Sequence, residues 1–158
     1  MAVVLIIDDS PTELHQFQSM LEKSGFGTLV ADSGEEGIRI AQSSAPDCIL
    51  MDVVMPGMNG FQATRKLTRD PATKEIPVIM ITAKDQETDK IWGMRQGAVD
   101  YIVKPVSADE LVNKINAVMA AAPSSNSLWF TASKLSMPVW WYLKYRWLSG
   151  IKPISGTF

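Results

Sequence analysis

The side chains best suited to chemistry follow four apolar runs, each of which ends in a polar residue. They are Asp8 and Asp9 after the first run, Asp52 at the end of the third, Thr82 after the fourth and Lys104 at the end of the fifth. Carboxylates can bind a divalent cation or act as nucleophiles, while an ammonium and a hydroxyl group can hold anionic oxygens. This set of groups predicts the transfer of a phosphoryl group to an aspartate.

Asp52 is the candidate reactive group. It ends an apolar run of strand length that begins at Cys48, and Pro56, Gly57 and Gly60 then mark a loop before the next helix. Taken alone, such an aspartate more often starts a turn or caps a helix. The polar ends of the other strands favour the reactive interpretation.

The chain alternates between short apolar runs and helical segments. Strands are predicted over residues 3–7, 27–31, 48–52, 76–81 and 100–103, and helices over residues 10–24, 34–44, 59–69, 85–96 and 107–121. Three helices begin with a serine followed three residues later by a glutamate, which predicts capping boxes at Ser10/Glu13, Ser33/Glu36 and Ser107/Glu110.

Five strands that alternate with five helices predict an α/β fold, a (βα)5 doubly wound parallel sheet with helices on both faces. The crossovers between parallel strands should be right-handed. All five strands then end at one edge of the sheet, where ligands bind in open α/β folds. Four separate strand ends should therefore bring their polar groups together.

Three carboxylates in one place repel one another by roughly 4 kcal/mol per close pair at a surface-like dielectric. A divalent cation would relieve this repulsion, and an all-oxygen ligand set with open positions suits Mg²⁺. Lys104 and Thr82 would contact the oxygens of the phosphoryl group. The one histidine, His15, falls inside the first helix and is expected to be a packed or solvent-facing residue.

The composition limits the remaining possibilities. A chain of 158 residues with 46% hydrophobic content and a net charge of -2 can form one domain with a core and a short appendage. A single cysteine, Cys48, excludes disulfides within the chain and is expected to be a buried thiol. Neither a signal sequence nor a run of membrane-spanning length is visible, so we expect a cytoplasmic protein.

The last part of the chain has a different composition. Residues 122–127 are typical of a linker, and the segment to residue 158 carries four of the five tryptophans and no acidic residue. Alternation over residues 139–147 suggests a strand that could add to a sheet edge, dock on the helices, bind a partner or touch a membrane surface weakly. An extension without function is an equally good interpretation, and nothing in it indicates nucleic-acid binding.

Four stretches of the sequence, residues 8–10, 51–60, 82–84 and 100–105, resemble the receiver domain of two-component response regulators. The resemblance covers residues 1–121 and includes these motifs in order. It implies the strand order 2-1-3-4-5. Residues 9–13, 59–65 and 84–93 are also similar to the stand-alone regulators of twitching-motility chemosensory systems.

The resemblance implies a role for each matching residue. Asp52 would accept a phosphoryl group from a histidine kinase or a phosphotransfer domain. Asp9, Asp52 and the backbone carbonyl of Val54 would bind Mg²⁺ or Mn²⁺ directly, and Asp8 would bind it through water. Thr82 and Lys104 would hold phosphate oxygens, with a cis peptide between Lys104 and Pro105. Thr82 and Tyr101 would form a switch that changes a protein-docking face made by helix four, strand five and helix five.

Other functions remain possible at this point. A phosphate sink or a docking protein that does not switch would have the same motifs. A magnesium-dependent aspartyl phosphatase of the haloacid-dehalogenase type would place an Asp-X-Asp pattern after strand one, where this chain has adjacent acids. A flavodoxin-like protein would need a hydroxyl-rich phosphate loop there. We therefore expect a switch and not an enzyme that turns over external substrates.

Overall fold

The computed structural model describes residues 1–83 and 87–121 of the chain. The predicted linker and aromatic tail, residues 122–158, lie outside the described residues. So do residues 84–86, which include the end of the third family motif and the predicted start of the fourth helix.

The described residues form one five-stranded parallel sheet in the order β2-β1-β3-β4-β5, as the family resemblance implied. The strands are β1 (Val3–Ile7), β2 (Gly27–Ala31), β3 (Cys48–Asp52), β4 (Val78–Ala83) and β5 (Asp100–Lys104). The helices are α1 (Pro11–Lys23), α2 (Gly34–Ser44), α3 (Gly60–Arg69), α4 (Glu87–Gln96) and α5 (Ala108–Ala121). The predicted (βα)5 fold is confirmed.

Both boundaries of the fourth strand were predicted wrongly. The fourth strand was expected at residues 76–81, but it begins at Val78 and continues to Ala83. The Ile76 N–H donates to the Thr73 carbonyl in the preceding turn, and Pro77 has no N–H to donate to a neighbouring strand. Both residues therefore belong to the connection, although their side chains are apolar.

Alternate residues of the three central strands supply two separate cores, one on each face of the sheet. Val4 and Ile6 of β1 pack with Phe17 of α1 and Leu111 of α5 on the first face. On the second face Leu5 and Ile7 pack with residues of α2 and α3. The three central strands are buried over nearly their whole length, which explains their continuous apolar runs. Cys48 is a buried free thiol, as predicted.

Three helices begin at the predicted serine caps. The second hydrogen bond of a capping box, from the cap N–H to the glutamate side chain, does not always form. The hydroxyls of Ser10, Ser33 and Ser107 each accept a hydrogen bond from the backbone N–H three residues later. The Glu36 side chain binds Arg39 instead of returning to its cap. A complete capping box occurs at α3, where Asn59 and Gln62 exchange both bonds.

The start of α3 lies directly against the end of β3. The Gly60 N–H donates to the Val53 carbonyl at 2.9 Å. A Cβ atom on Gly60 would collide with the backbone carbonyl of Asp52. Glycine at this position therefore lets the helix approach the strand end that carries the candidate reactive aspartate. Within the described residues, no helix combines the length and hydropathy needed to cross a membrane.

We predict that Gly60→Ala lowers the free energy of unfolding by about 3 kcal/mol, because the new methyl group must displace backbone atoms of the strand end. Gly25→Ala is the matched control: Gly25 has a φ of 88° and open space around its Cβ position, so only its backbone conformation is penalised, by about 1 kcal/mol. Urea denaturation of both variants measures the difference. Equal losses would contradict a steric role for Gly60.

Candidate functional site

Three carboxylates meet at the carboxyl edge of the sheet. Asp8 follows β1, Asp52 ends β3, and Glu13 reaches the same place from the first turn of α1. One oxygen from each lies within 4.8 Å of the others. Asp8 and Asp52 are only 1% and 6% exposed, so water screens their charges poorly.

Lys104, the last residue of β5, supplies the ammonium group in this cluster. Its Nζ lies 2.7 Å from Glu13 Oε2, 3.1 Å from Asp52 Oδ1 and 4.0 Å from Asp8 Oδ2. The peptide bond between Lys104 and Pro105 is cis. One lysine thus joins the ends of β1, β3 and β5 to the start of α1.

In the part of the chain that the structure describes, two buried oxygen atoms at this edge have no hydrogen-bond partner. They are Oδ2 of Asp8 and the hydroxyl oxygen of Thr82, the latter in β4 beside β5. Buried polar atoms are nearly always paired in proteins, so an unpaired carboxylate oxygen and an unpaired hydroxyl indicate a site that receives a ligand. A carboxylate oxygen suits a cation, and a hydroxyl can donate to an anionic oxygen.

The charges at the site shift one another's ionisation. Burial raises the pKa of Asp8 to about 7, and the neighbouring carboxyl groups of Glu13 and Asp52 act in the same direction. Burial also raises the pKa of Asp52, although Lys104 opposes this. Burial alone would raise the pKa of Glu13, but the hydrogen bond and the charge of Lys104 lower it below its ordinary value. Burial opposes the charge of Lys104, yet Glu13 and Asp52 raise the pKa of its ammonium group.

The other residues proposed from the sequence are not members of this carboxylate cluster. Asp9 is exposed and its charge acts on Asp52. Val54 lies in the loop after β3 with its side chain 74% exposed. Tyr101 of β5 packs, partly buried, against the core on the second face of the sheet. Its ring is approached by the ammonium groups of Lys90 at 4.8 Å and Lys114 at 5.5 Å.

Glu13 is the site residue that the sequence reasoning missed. Its spacing from Ser10 suggested that its side chain would return to the helix cap. In the structure the Ser10 N–H donates to Asp8 Oδ1 instead, and the Glu13 carboxylate is free to bind Lys104. One feature of the sequence could have assigned Glu13 to the site. It lies in the first turn of the helix that follows an acidic strand end, and that turn lies over the same edge of the sheet.

Residues 4–116 of the chain match the family described as the response regulator receiver domain. The chain belongs to that family. It is 58% identical over 120 residues to the protein PilH of Pseudomonas aeruginosa, a match that covers 76% of this chain and 99% of that protein. Other curated relatives, at 36–40% identity, are longer proteins of which this receiver chain spans about half, 51–52%.

Solved receiver structures have the same fold. The chemotaxis protein CheY4 of Vibrio cholerae matches with a TM-score of 0.71 and 30% identity, over 75% of this chain and 98% of that one. The receiver domain of the sensor histidine kinase PA1611 from Pseudomonas aeruginosa matches with a TM-score of 0.71, 26% identity and the same coverage. That structure is described as having a magnesium ion coordinated in the active-site cleft.

The raised pKa of Asp8 predicts that, without divalent cations, the receiver loses stability as the pH rises. The folded protein holds a proton on Asp8 up to about pH 7, whereas the unfolded chain releases it near the ordinary value of 3.8. Between these values the folded state binds more protons, so the free energy of unfolding falls with rising pH, by about 4 kcal/mol at most.

Denaturation in EDTA at about pH 4.5 and about pH 8, near the two ends of this pH range, tests the expectation. Asp8→Asn should be more stable than the wild type at pH 8 and should show a smaller loss of stability between the two pH values. The control is Asp32→Asn, at an exposed position outside the cluster. Equal pH dependence in the wild type and in Asp8→Asn would contradict the predicted ionisation of Asp8.

Proposed function

We propose that this two-component response regulator accepts a phosphoryl group on Asp52 from the phosphohistidine of a kinase or a phosphotransfer domain. The observation that carries the proposal is the contact of 3.1 Å between Lys104 Nζ and the Asp52 carboxylate. An ammonium group beside a carboxylate that gains a phosphoryl group can bind the added negative charge. The unpaired hydroxyl of Thr82 offers a hydrogen bond to the same group.

The transfer needs little acid or base chemistry. An oxygen of ionised Asp52 attacks phosphorus, an O–P bond forms, and the P–N bond to the donor histidine breaks. The bonding pair stays on the imidazole nitrogen, which takes a proton from water. Catalysis then consists of positioning the reactants and stabilising charge on the phosphoryl oxygens, which an ammonium and a hydroxyl can do.

The carboxylates fit a divalent cation. They offer oxygen ligands, they repel one another without a positive charge, and Asp8 has an unpaired oxygen aimed into the cluster. We propose that Asp9, Asp52 and the Val54 carbonyl bind Mg²⁺ or Mn²⁺, with Asp8 acting through water. The ion would neutralise charge between the carboxylates and the phosphoryl oxygens. The magnesium ion described for the PA1611 receiver supports this assignment.

The proposed output is a change in the face formed by α4, β5 and α5. Thr82 would turn toward the phosphoryl group on Asp52, and the ring of Tyr101 would follow it inward. The partly buried position of Tyr101 between residues of two helices supports a role in which its ring position affects both. A protein that docks on this face would read the altered surface.

The cellular role follows from similarity to PilH. We propose a cytoplasmic switch in a chemosensory or twitching-motility pathway, supported by 58% identity over nearly the whole of that protein. The receiver domain of this chain would comprise residues 1–121, followed by a linker and an aromatic, basic tail over residues 122–158. Family membership also favours a protein that gains and loses its own phosphoryl group over the phosphatase and flavin-binding alternatives.

The first test is phosphorylation of the full chain by acetyl phosphate with Mg²⁺, read by intact mass. We expect one added phosphoryl group in the wild type and in Asp32→Asn, and none in Asp52→Asn, because the amide cannot act as the nucleophile. Circular dichroism checks that Asp52→Asn remains folded. Phosphorylation of Asp52→Asn at the wild-type level would place the acceptor elsewhere.

The second test concerns the metal ligands. We expect Asp9→Ala to weaken Mg²⁺ binding by about tenfold or more, since it removes a direct ligand. Asp8→Ala should weaken it less, because its carboxylate would act through water. Calorimetric titration with Mg²⁺ at pH 8 compares the two variants. A larger loss in Asp8→Ala would reverse the proposed ligand assignment.

A further inference from the structure

We infer that Glu13 competes with the phosphoryl group for Lys104 and thereby lowers the affinity of the site for that group. The inference rests on the proposed function and adds a residue that acts through Lys104 without contacting the reacting atoms. The first turn of α1 then helps to determine how strongly Lys104 binds the oxygens of a phosphoryl group on Asp52.

The contacts of Lys104 are the first observation. Its ammonium group is closer to Glu13, at 2.7 Å, than to Asp52, at 3.1 Å. Hydrogen bonds between ionised groups at such distances are among the stronger ones in proteins. A phosphoryl group on Asp52 must therefore draw Lys104 away from an existing partner.

The balance of charge is the second observation. The described cluster already holds three carboxylates against one ammonium group. A phosphoryl group carries a charge of about -2, but its bond to Asp52 consumes the charge of that carboxylate, so the site gains about one negative charge. If Lys104 turns toward the phosphoryl oxygens, Glu13 keeps its charge near a more negative group and loses its counter-ion, which costs free energy.

The space around Glu13 is the third observation. Its side chain is 32% exposed, compared with 2% for the side chain of Asp8. Glu13 and Lys104 both line a cavity of about 360 Å³ that also includes Phe17 and Val106. Glu13 can therefore move into water when Lys104 leaves it, whereas Asp8 and Asp52 are enclosed. Of the three carboxylates, Glu13 is therefore the one with space to separate from Lys104.

Removal of the Glu13 charge should strengthen the binding of an anion without strengthening the binding of a cation. Glu13→Gln keeps the size of the side chain but releases Lys104, so an anion on Asp52 should bind more tightly. Mg²⁺ should bind equally well or more weakly, since the site loses one carboxylate. General loosening of the site would weaken both ligands.

The experiment uses beryllofluoride, which binds a carboxylate oxygen in place of a phosphoryl group. Its apparent affinity for the full chain is measured by fluorine NMR at pH 8 with saturating Mg²⁺. The affinity for Mg²⁺ is measured separately by calorimetry, in the absence of beryllofluoride. Glu22→Gln is the matched control, with the same charge change on the same helix at an exposed position.

We expect Glu13→Gln to bind beryllofluoride about threefold or more tightly than the wild type and Glu22→Gln, the effect of one like charge roughly 6 Å away in water. Glu13→Ala should act in the same direction and serves if Glu13→Gln does not fold. Unchanged or weaker beryllofluoride binding would overturn the inference, and so would a gain in both beryllofluoride and Mg²⁺ affinity.

The proposed function fails in a different way. If the wild type does not bind beryllofluoride, or if Asp52→Asn binds it equally well, the assignment of Asp52 as acceptor is wrong. If the wild type binds it through Asp52 and Glu13→Gln binds it no better, only the competition for Lys104 is wrong.

Discussion

The close approach of several carboxylates to one ammonium group is the constraint that organises this edge of the protein. Folding brings Asp8, Asp52 and Glu13 together from β1, β3 and α1, and burial makes their repulsion stronger. Lys104 offsets part of that repulsion and reaches all three. Two apolar cores, one on each face of the sheet, support the strands that carry this cluster.

Most of the fold could be predicted because parallel strands buried on both faces have a strong pattern. Continuous β-branched runs, followed by serine caps and closing glycines, located most elements to within a residue or two. The fourth strand was predicted two residues too early because Ile76 and Pro77 are apolar, as strand residues often are. The hydrogen bond from the Ile76 N–H to the Thr73 carbonyl shows that this part of the chain still belongs to the preceding turn. An apolar side chain indicates burial, whereas pairing with a neighbouring strand also requires a backbone N–H group in the right position.

The site was predictable as far as strand ends determine it. Parallel strands must end at one edge, so the convergence of Asp8, Asp52 and Lys104 follows from topology alone. The place of Glu13 does not follow, because a glutamate in the first turn can return to the cap or reach across to another element. Which of these occurs depends on a competing acceptor: Asp8 binds the Ser10 N–H, and the glutamate then turns to the lysine.

The ring of Tyr101 has a mechanical consequence. Lys90 belongs to α4 and Lys114 to α5, and both ammonium groups lie over the ring of a residue in β5. Lys114 also binds Asp100, the residue that precedes Tyr101 in β5. The ring cannot leave its place without changing the surroundings of two charged groups on two helices. A displacement of this one ring would therefore change the contacts of charged groups on two helices at once.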